Sequence, residues 1–157
     1  MSSLAAIVAI TGILAAGIIY GTDAFCALVQ RPALTTLDDA TLTAVMGRVH
    51  QYGDRRLPAP GIIGILAAAV TTTVATIGGS IPGAIAAGVA LVSMLAWLSL
   101  YRRVAAPINR ALITAAMAHQ TPDNARRLQS RWDSIITARA VLMAVAVAGL
   151  AISAAAR

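Results

Sequence analysis

LAAIVAITGILAAGIIYGTDAFCALV occupies residues 4–29, and no charge interrupts it before Asp23. A helix rises about 1.5 Å per residue, so roughly 20 apolar residues cross the hydrocarbon core of a bilayer. This run is longer than that and predicts a membrane-spanning helix. Three more runs follow, at residues 61–77, 83–101 and 135–155. The second is rich in Ala, Val and Thr. The third begins after the breaker formed by Gly78, Gly79, Ser80, Ile81 and Pro82 and ends at Trp97 and Tyr101, which the pattern places near a membrane interface. The fourth is interrupted only by Arg139. The expectation is an all-α protein: one membrane domain, residues 1–157, built as a bundle of four transmembrane helices.

Composition agrees. The chain is 59% hydrophobic and 11% charged, against roughly 25% charged in a typical soluble protein, which excludes an ordinary soluble globule. The mean hydropathy of +0.79 rests on Ala, Leu, Ile and Val, since aromatics make up only 4%. The net charge of +6 comes from twelve Arg and no Lys against six Asp and no Glu. Arginine used without lysine also follows from coding bias in a GC-rich genome, so no nucleic-acid partner is implied. Cys26 is the only cysteine, which excludes an intrachain disulfide and leaves the redox compartment open. A cleaved signal peptide fits poorly: no positive charge precedes the first run, and it continues past Gly21 through Phe25, Leu28 and Val29. The first segment reads as a retained anchor.

Arginine placement predicts orientation. The connection between the first two runs holds Arg31, Arg48, Arg55 and Arg56, and that between the last two holds Arg102, Arg103, Arg110, Arg126, Arg127 and Arg131. The other side has Met1, Ser2 and Ser3, the Gly-Gly turn and Arg157. By the positive-inside tendency both long connections are cytoplasmic and both termini lie outside, with the plasma membrane as the expected location. Basic connections of this kind suit anionic lipid headgroups.

Both connections have helical signals. Thr35, Thr36 and Asp38 are candidate caps before Leu42, Val45, Met46 and Val49, an apolar stripe that predicts a short interfacial helix. Thr121, Pro122 and Asp123 resemble a helix start that runs into the last span, 34 residues from Pro122 to Ala155. Gly12, Ala16, Gly17, Gly78, Gly79, Gly83 and Gly88 offer small surfaces for close helix packing, although general membrane-helix composition explains them too.

Few residues can carry chemistry. Asp23 is a carboxylate on a membrane helix, where it needs a partner or water; it can pair with an arginine, line a polar site or couple to protons. Tyr20 and Cys26 lie three residues to either side and can share its face. Arg139, about one turn inside the last span, is the matching cation, and an Asp23 to Arg139 pair is plausible. Trp132, seven residues before Arg139, points the same way, so the two can hold a planar oxygenated ligand or simply anchor the helix at the interface. His50 is the best acid–base candidate, with Tyr52, Asp54, Arg55 and Arg56 around it, although a solvated loop histidine is the plainer reading. His119 is weaker. No metal-ligand spacing, phosphate loop, dinucleotide fingerprint or nucleophile elbow is present, so no metal site is expected.

With these residues in place, the chain resembles the anthrone oxygenase-like family of small four-helix membrane proteins. The likeness rests on Gly21-Thr-Asp-Ala-Phe-Cys followed by Arg31-Pro-Ala-Leu, on Pro107-Ile-Asn-Arg-Ala-Leu, and on Arg131-Trp-Asp-Ser-Ile-Ile-Thr-Ala-Arg. It covers nearly the whole chain in layout through short motifs. The resemblance implies Asn109, Trp132 and Arg139 as motif positions, with Pro107 shaping the turn. Two departures stand out: Ala105 replaces the first asparagine of an Asn-x-Pro-x-Asn pattern, and Ile136 replaces an asparagine three residues before the last arginine. What the family implies is oxidation of an anthrone to a quinone with molecular oxygen, as in its characterised members; apart from oxygen as co-substrate, no cofactor is expected.

On that basis His50, Asn109 and Arg139 are the catalytic candidates, and Asp23, Tyr20 and Trp132 the substrate-binding ones. His50 would take a carbon-bound proton, Asn109 or Arg139 would hold the oxyanion, and Trp132 would stack on the ring of a hydrophobic phenolic or quinone-like substrate near the cytoplasmic face. The alternative is a non-enzymatic helical module binding lipid or protein partners, because each polar residue also has a structural use. A small proton-coupled transporter working through Asp23 is the third reading. Thin, Ala-rich spans also leave room for a homo-oligomer.

Overall fold

Four helices grown from the apolar runs close into a ring. The computed structural model describes residues 3–156; Met1, Ser2 and Arg157, which enter the orientation argument, lie outside them. Helix α1 (Ser3–Phe25) packs on α4 (Pro58–Ile77), α4 on α5 (Ile81–Leu100), α5 on α7 (Ala125–Ala155), and α7 back on α1. No strand occurs among the described residues. The four helical stretches long and apolar enough to cross a membrane are Leu4–Leu34, Pro58–Ile77, Ile81–Met117 and Ala125–Ala155. The protein is therefore a membrane helical bundle, as its sequence predicts.

The inside of the ring is small and the outside large. Ala16, Ala68, Ala90, Ala146, Met94 and Met143 fill its centre, while Leu14, Ile85 and Val92 face outward at 65, 63 and 66% exposure. Lipid is as apolar as these side chains, so the helices associate through close packing. Gly12 faces Ala67, Gly64 lies against Met94 and Ala16, and Gly149 meets the Ala86 carbonyl; an added Cβ would come within 2.8, 2.6 and 2.6 Å of a neighbour at the three positions. Of the glycines expected to serve this way, Gly17 has no neighbour within 4 Å, and Gly64 and Gly149 carry contacts the sequence reading left out.

Beyond one end of the ring the chain builds a second helical layer. It consists of α2 (Arg31–Leu34), α3 (Asp39–Arg56), α6 (Ala106–Met117) and the first turns of α7. Its core includes Leu34, Leu42, Met46, Ile108, Leu112 and Ile136. Asp38 caps α3 by accepting from the Thr41 amide at 2.8 Å. Thr35 and Thr36 instead donate their hydroxyls back to the carbonyls of Pro32 and Ala33. The buried face of α3 is Leu42, Thr43, Met46, Gly47 and His50, with Val45 and Val49 exposed. The expected interfacial stripe is thus corrected: α3 is turned so that it packs on α6, with Gly47 meeting Leu112 and Ala116 so closely that no side chain fits. The start of α7 is also corrected. Thr121, Pro122 and Asp123 lie in the preceding loop and the helix begins at Ala125.

The span boundaries differ from expectation at two prolines, for one physical reason. After α1 the helix continues through a π-helical turn, Cys26–Gln30, into α2; after α5 it continues through Tyr101–Ala105 into α6. In each turn an amide reaches five residues back, Arg31 to Cys26 and Ala106 to Tyr101. Pro32 and Pro107 follow immediately, at the first positions of the next helix. Each proline lacks a donor and would clash in an unbroken α-helix; the inserted residue relieves this, and the helix bends without ending.

Candidate functional site

The polar residues of the spans gather where the two layers meet. Arg139 donates from Nη2 to Asp23 Oδ1 at 2.8 Å, joining α7 to α1. The other carboxylate oxygen accepts the Trp97 indole N–H at 2.7 Å, bringing in α5. Both charged side chains are buried, 7 and 3% exposed, so neither is satisfied by water. Three aromatic rings surround the guanidinium carbon, Trp97 at 5.3 Å and Tyr101 and Trp132 at 5.8 Å. Ring faces attract a cation, most strongly where water is excluded. Arg139 Nε has no hydrogen-bond partner among the described residues and is buried.

A second network holds the aromatic wall. Trp132 donates its indole N–H to Asn109 Oδ1 at 3.0 Å, Asn109 donates to Asp54 Oδ1 at 2.9 Å, and the Tyr101 hydroxyl donates to the same oxygen at 2.9 Å. Both ends of the Asn109 amide are engaged. Its geometry suits orientation of Trp132.

These groups line a cavity of about 340 Å³. His50 closes one side, its ring 5.4 Å from that of Trp132. Its Nε2 is buried and has no protein partner among the described residues. Burial, and then the nearby Arg139 charge, push the imidazole down from its ordinary value to about 4. It is neutral at neutral pH and keeps a lone pair for a proton or a hydrogen bond. Cys26 also reaches the cavity, its thiol donating to Gln30 Oε1 at 2.9 Å within the first π turn. Among the described residues no three His, Cys, Asp or Glu side chains lie together as a metal-binding group.

The structure brings Asp23, His50, Asn109, Trp132 and Arg139 to one cavity. It does not bring Tyr20, which is 39% exposed on the outer surface of α1 while Asp23 and Cys26 face inward. His119 lies in the loop after α6. Trp97 and Tyr101, expected near a membrane interface, have protein partners: Trp97 is buried against Asp23, and Tyr101 is tied to Asp54. Their spacing of four residues places them on one helical face, and Asp54 stands four residues after His50 in the same way. Those two spacings are the signals that identify the missed residues. No protein-family model, curated protein or solved structure matches the chain.

Proposed function

We propose that the protein is a membrane oxidoreductase of the anthrone oxygenase type, acting on a hydrophobic phenolic or quinone-like substrate held in this cavity. The observation that carries the reading is that His50 and Arg139 line one cavity with aromatic walls and that His50 Nε2 and Arg139 Nε are both buried without a hydrogen-bond partner among the described residues. A carbon between two aryl rings and opposite a carbonyl gives up a proton when its enolate is stabilised. Neutral His50 takes that proton, and Arg139 holds the oxyanion. As an imidazole with low proton affinity, His50 is a weak base, so the arginine carries much of the driving force. Trp132 and Trp97 confine the ring, Asp23 holds Arg139, and Asn109 holds Trp132. Molecular oxygen is the co-substrate: one atom becomes the new carbonyl oxygen, and the other leaves with the two displaced hydrogens as water. We place the protein in the plasma membrane, with the arginine-rich layer cytoplasmic and the termini outside.

The test is oxygen uptake with an anthrone in proteoliposomes. His50→Ala and Arg139→Lys are expected to lower turnover by about 100-fold or more while the protein still folds. Unchanged uptake in both variants overturns the reading. A second reading, a non-enzymatic lipid- or partner-binding module, is favoured by the mutual satisfaction of Asp23, Trp97, Asn109 and Asp54. It expects the same variants to change thermal stability and leave every ligand affinity unaltered.

A further inference from the structure

The polarity of the cavity runs the wrong way for a water-soluble ligand. Its buried lining is polar or aromatic: Asp23, His50, Trp97, Asn109, Trp132 and Arg139 are each less than 9% exposed. Its exposed lining is mostly apolar. Val49 is 46% and Ile62 58% exposed and Pro58 is exposed beside them, while the partly buried lining is mixed: Leu57, Ile65 and Leu98 on the α4 side, with Thr22, Gln30, Asp54 and Tyr101 elsewhere around it. A site filled from water carries polar groups at its mouth; this one presents α4 side chains that otherwise face hydrocarbon. Among the described residues Arg102 is the exposed charge on the rim, in the π-helical turn after α5, a position from which a long side chain can extend toward headgroups. At about 340 Å³ the cavity is near the lower end of ligand pockets, roughly 300–1,000 Å³. It has room for a ring system and part of an attached chain.

We propose that the ligand is a tailed amphiphile, a phenolic or quinoid ring carrying a long hydrocarbon chain, bound with its ring against His50 and Arg139 and its chain leaving past Leu57, Ile62 and Ile65 into the bilayer. The inference rests on the reading of this cavity as a substrate site and adds the tail and its exit. A tail lying along α4 stays in an environment as apolar as lipid, so the ring enters without dragging hydrocarbon through polar groups. The polar head is desolvated only where Arg139 and His50 offer hydrogen bonds in return.

The chain's two tryptophans both line the cavity, so their fluorescence reports occupancy by a quinone. In nanodiscs, quenching by a plain benzoquinone and by the same ring with a decyl chain is measured at matched membrane concentration. A third probe, with a photoreactive diazirine on the decyl chain, is irradiated and its attachment points are mapped by mass spectrometry. Both quinones are expected to quench, and the chain probe is expected to label residues 57–65. A roughly tenfold excess of unlabelled decyl quinone is expected to remove about nine-tenths of that label, as competition for one site requires. Quenching by the plain ring alone, or labelling spread over the lipid-facing surface without competition, overturns the tail and leaves the cavity as a ring site. Quenching by neither overturns both this inference and the substrate-site reading beneath it.

Discussion

Asp23 and Arg139 are separated by 116 positions yet lie 2.8 Å apart, both buried inside the protein. Removing one member of such a pair leaves a buried charge without compensation and typically costs about 3–5 kcal/mol, while replacing both with apolar groups costs far less. Arg139→Met or Asp23→Leu alone is therefore expected to lower the unfolding midpoint in detergent steeply, and the double variant to recover most of it. A double variant that loses the sum of the two single losses would show that the pair is not coupled. His50 gives a second residue-scale expectation. Its folded value of about 4 lies below the ordinary 6.5, so between these pH values the unfolded chain binds the proton first. Stability is then full above pH 6.5 and falls as pH drops toward 4, by on the order of 3 kcal/mol for this one group. Unfolding titrations at pH 7.5, 5.5 and 4.5 should show the loss, and His50→Leu should flatten it.

Two helices end in the same way with different residues. Gly79 follows α4 at φ +73°, and His119 follows α6 at φ +53°. In both, two amides turn back to the last helical carbonyls: Gly79 to Thr76 and Ser80 to Ala75, His119 to Ala116 and Gln120 to Ala115. This is the Schellman arrangement, which places its middle residue in the left-handed region. Glycine enters it freely; a residue with a Cβ is strained by about 1 kcal/mol. His119→Gly is expected to raise stability by roughly 0.5–1 kcal/mol, read from thermal or denaturant unfolding. A fall instead would mean that the imidazole makes a contact worth more than the strain. At this scale the sequence was legible in part. The apolar runs gave the spans because length and hydropathy are local, but the first and third helices run on past the expected ends, through Pro32 and Pro107. Whether a proline stops a helix depends on an inserted residue whose pairing is invisible in composition. The face of α3 was misread because Leu42, Val45, Met46 and Val49 make an equally good stripe; the tertiary fit of Gly47 against Leu112 decided it.

At the scale of the molecule, the bundle and the layer above it meet at the cavity, and every element that lines it comes from a different part of the chain. That is why Asp23, His50, Asn109, Trp132 and Arg139 could be named singly from the sequence while Trp97 was read only as an interfacial residue and Asp54 only as a neighbour of His50. Their importance lies in partners 74 and 55 positions away. The orientation proposed from the arginines is open to a direct check. Cysteines introduced at Ser80 and at Arg110, in a Cys26→Ser background, are expected to react with an impermeant maleimide on intact cells at Ser80 only. Reaction at Arg110 alone would invert the topology.

The ion pair also bears on how the protein is made. Asp23 lies on α1 and Arg139 on α7, so ribosomal synthesis delivers the carboxylate well before its arginine, and a nascent chain holds it unmatched until α7 is inserted. Every chain stopped short of Arg139 lacks the partner that Asp23 has in the folded protein.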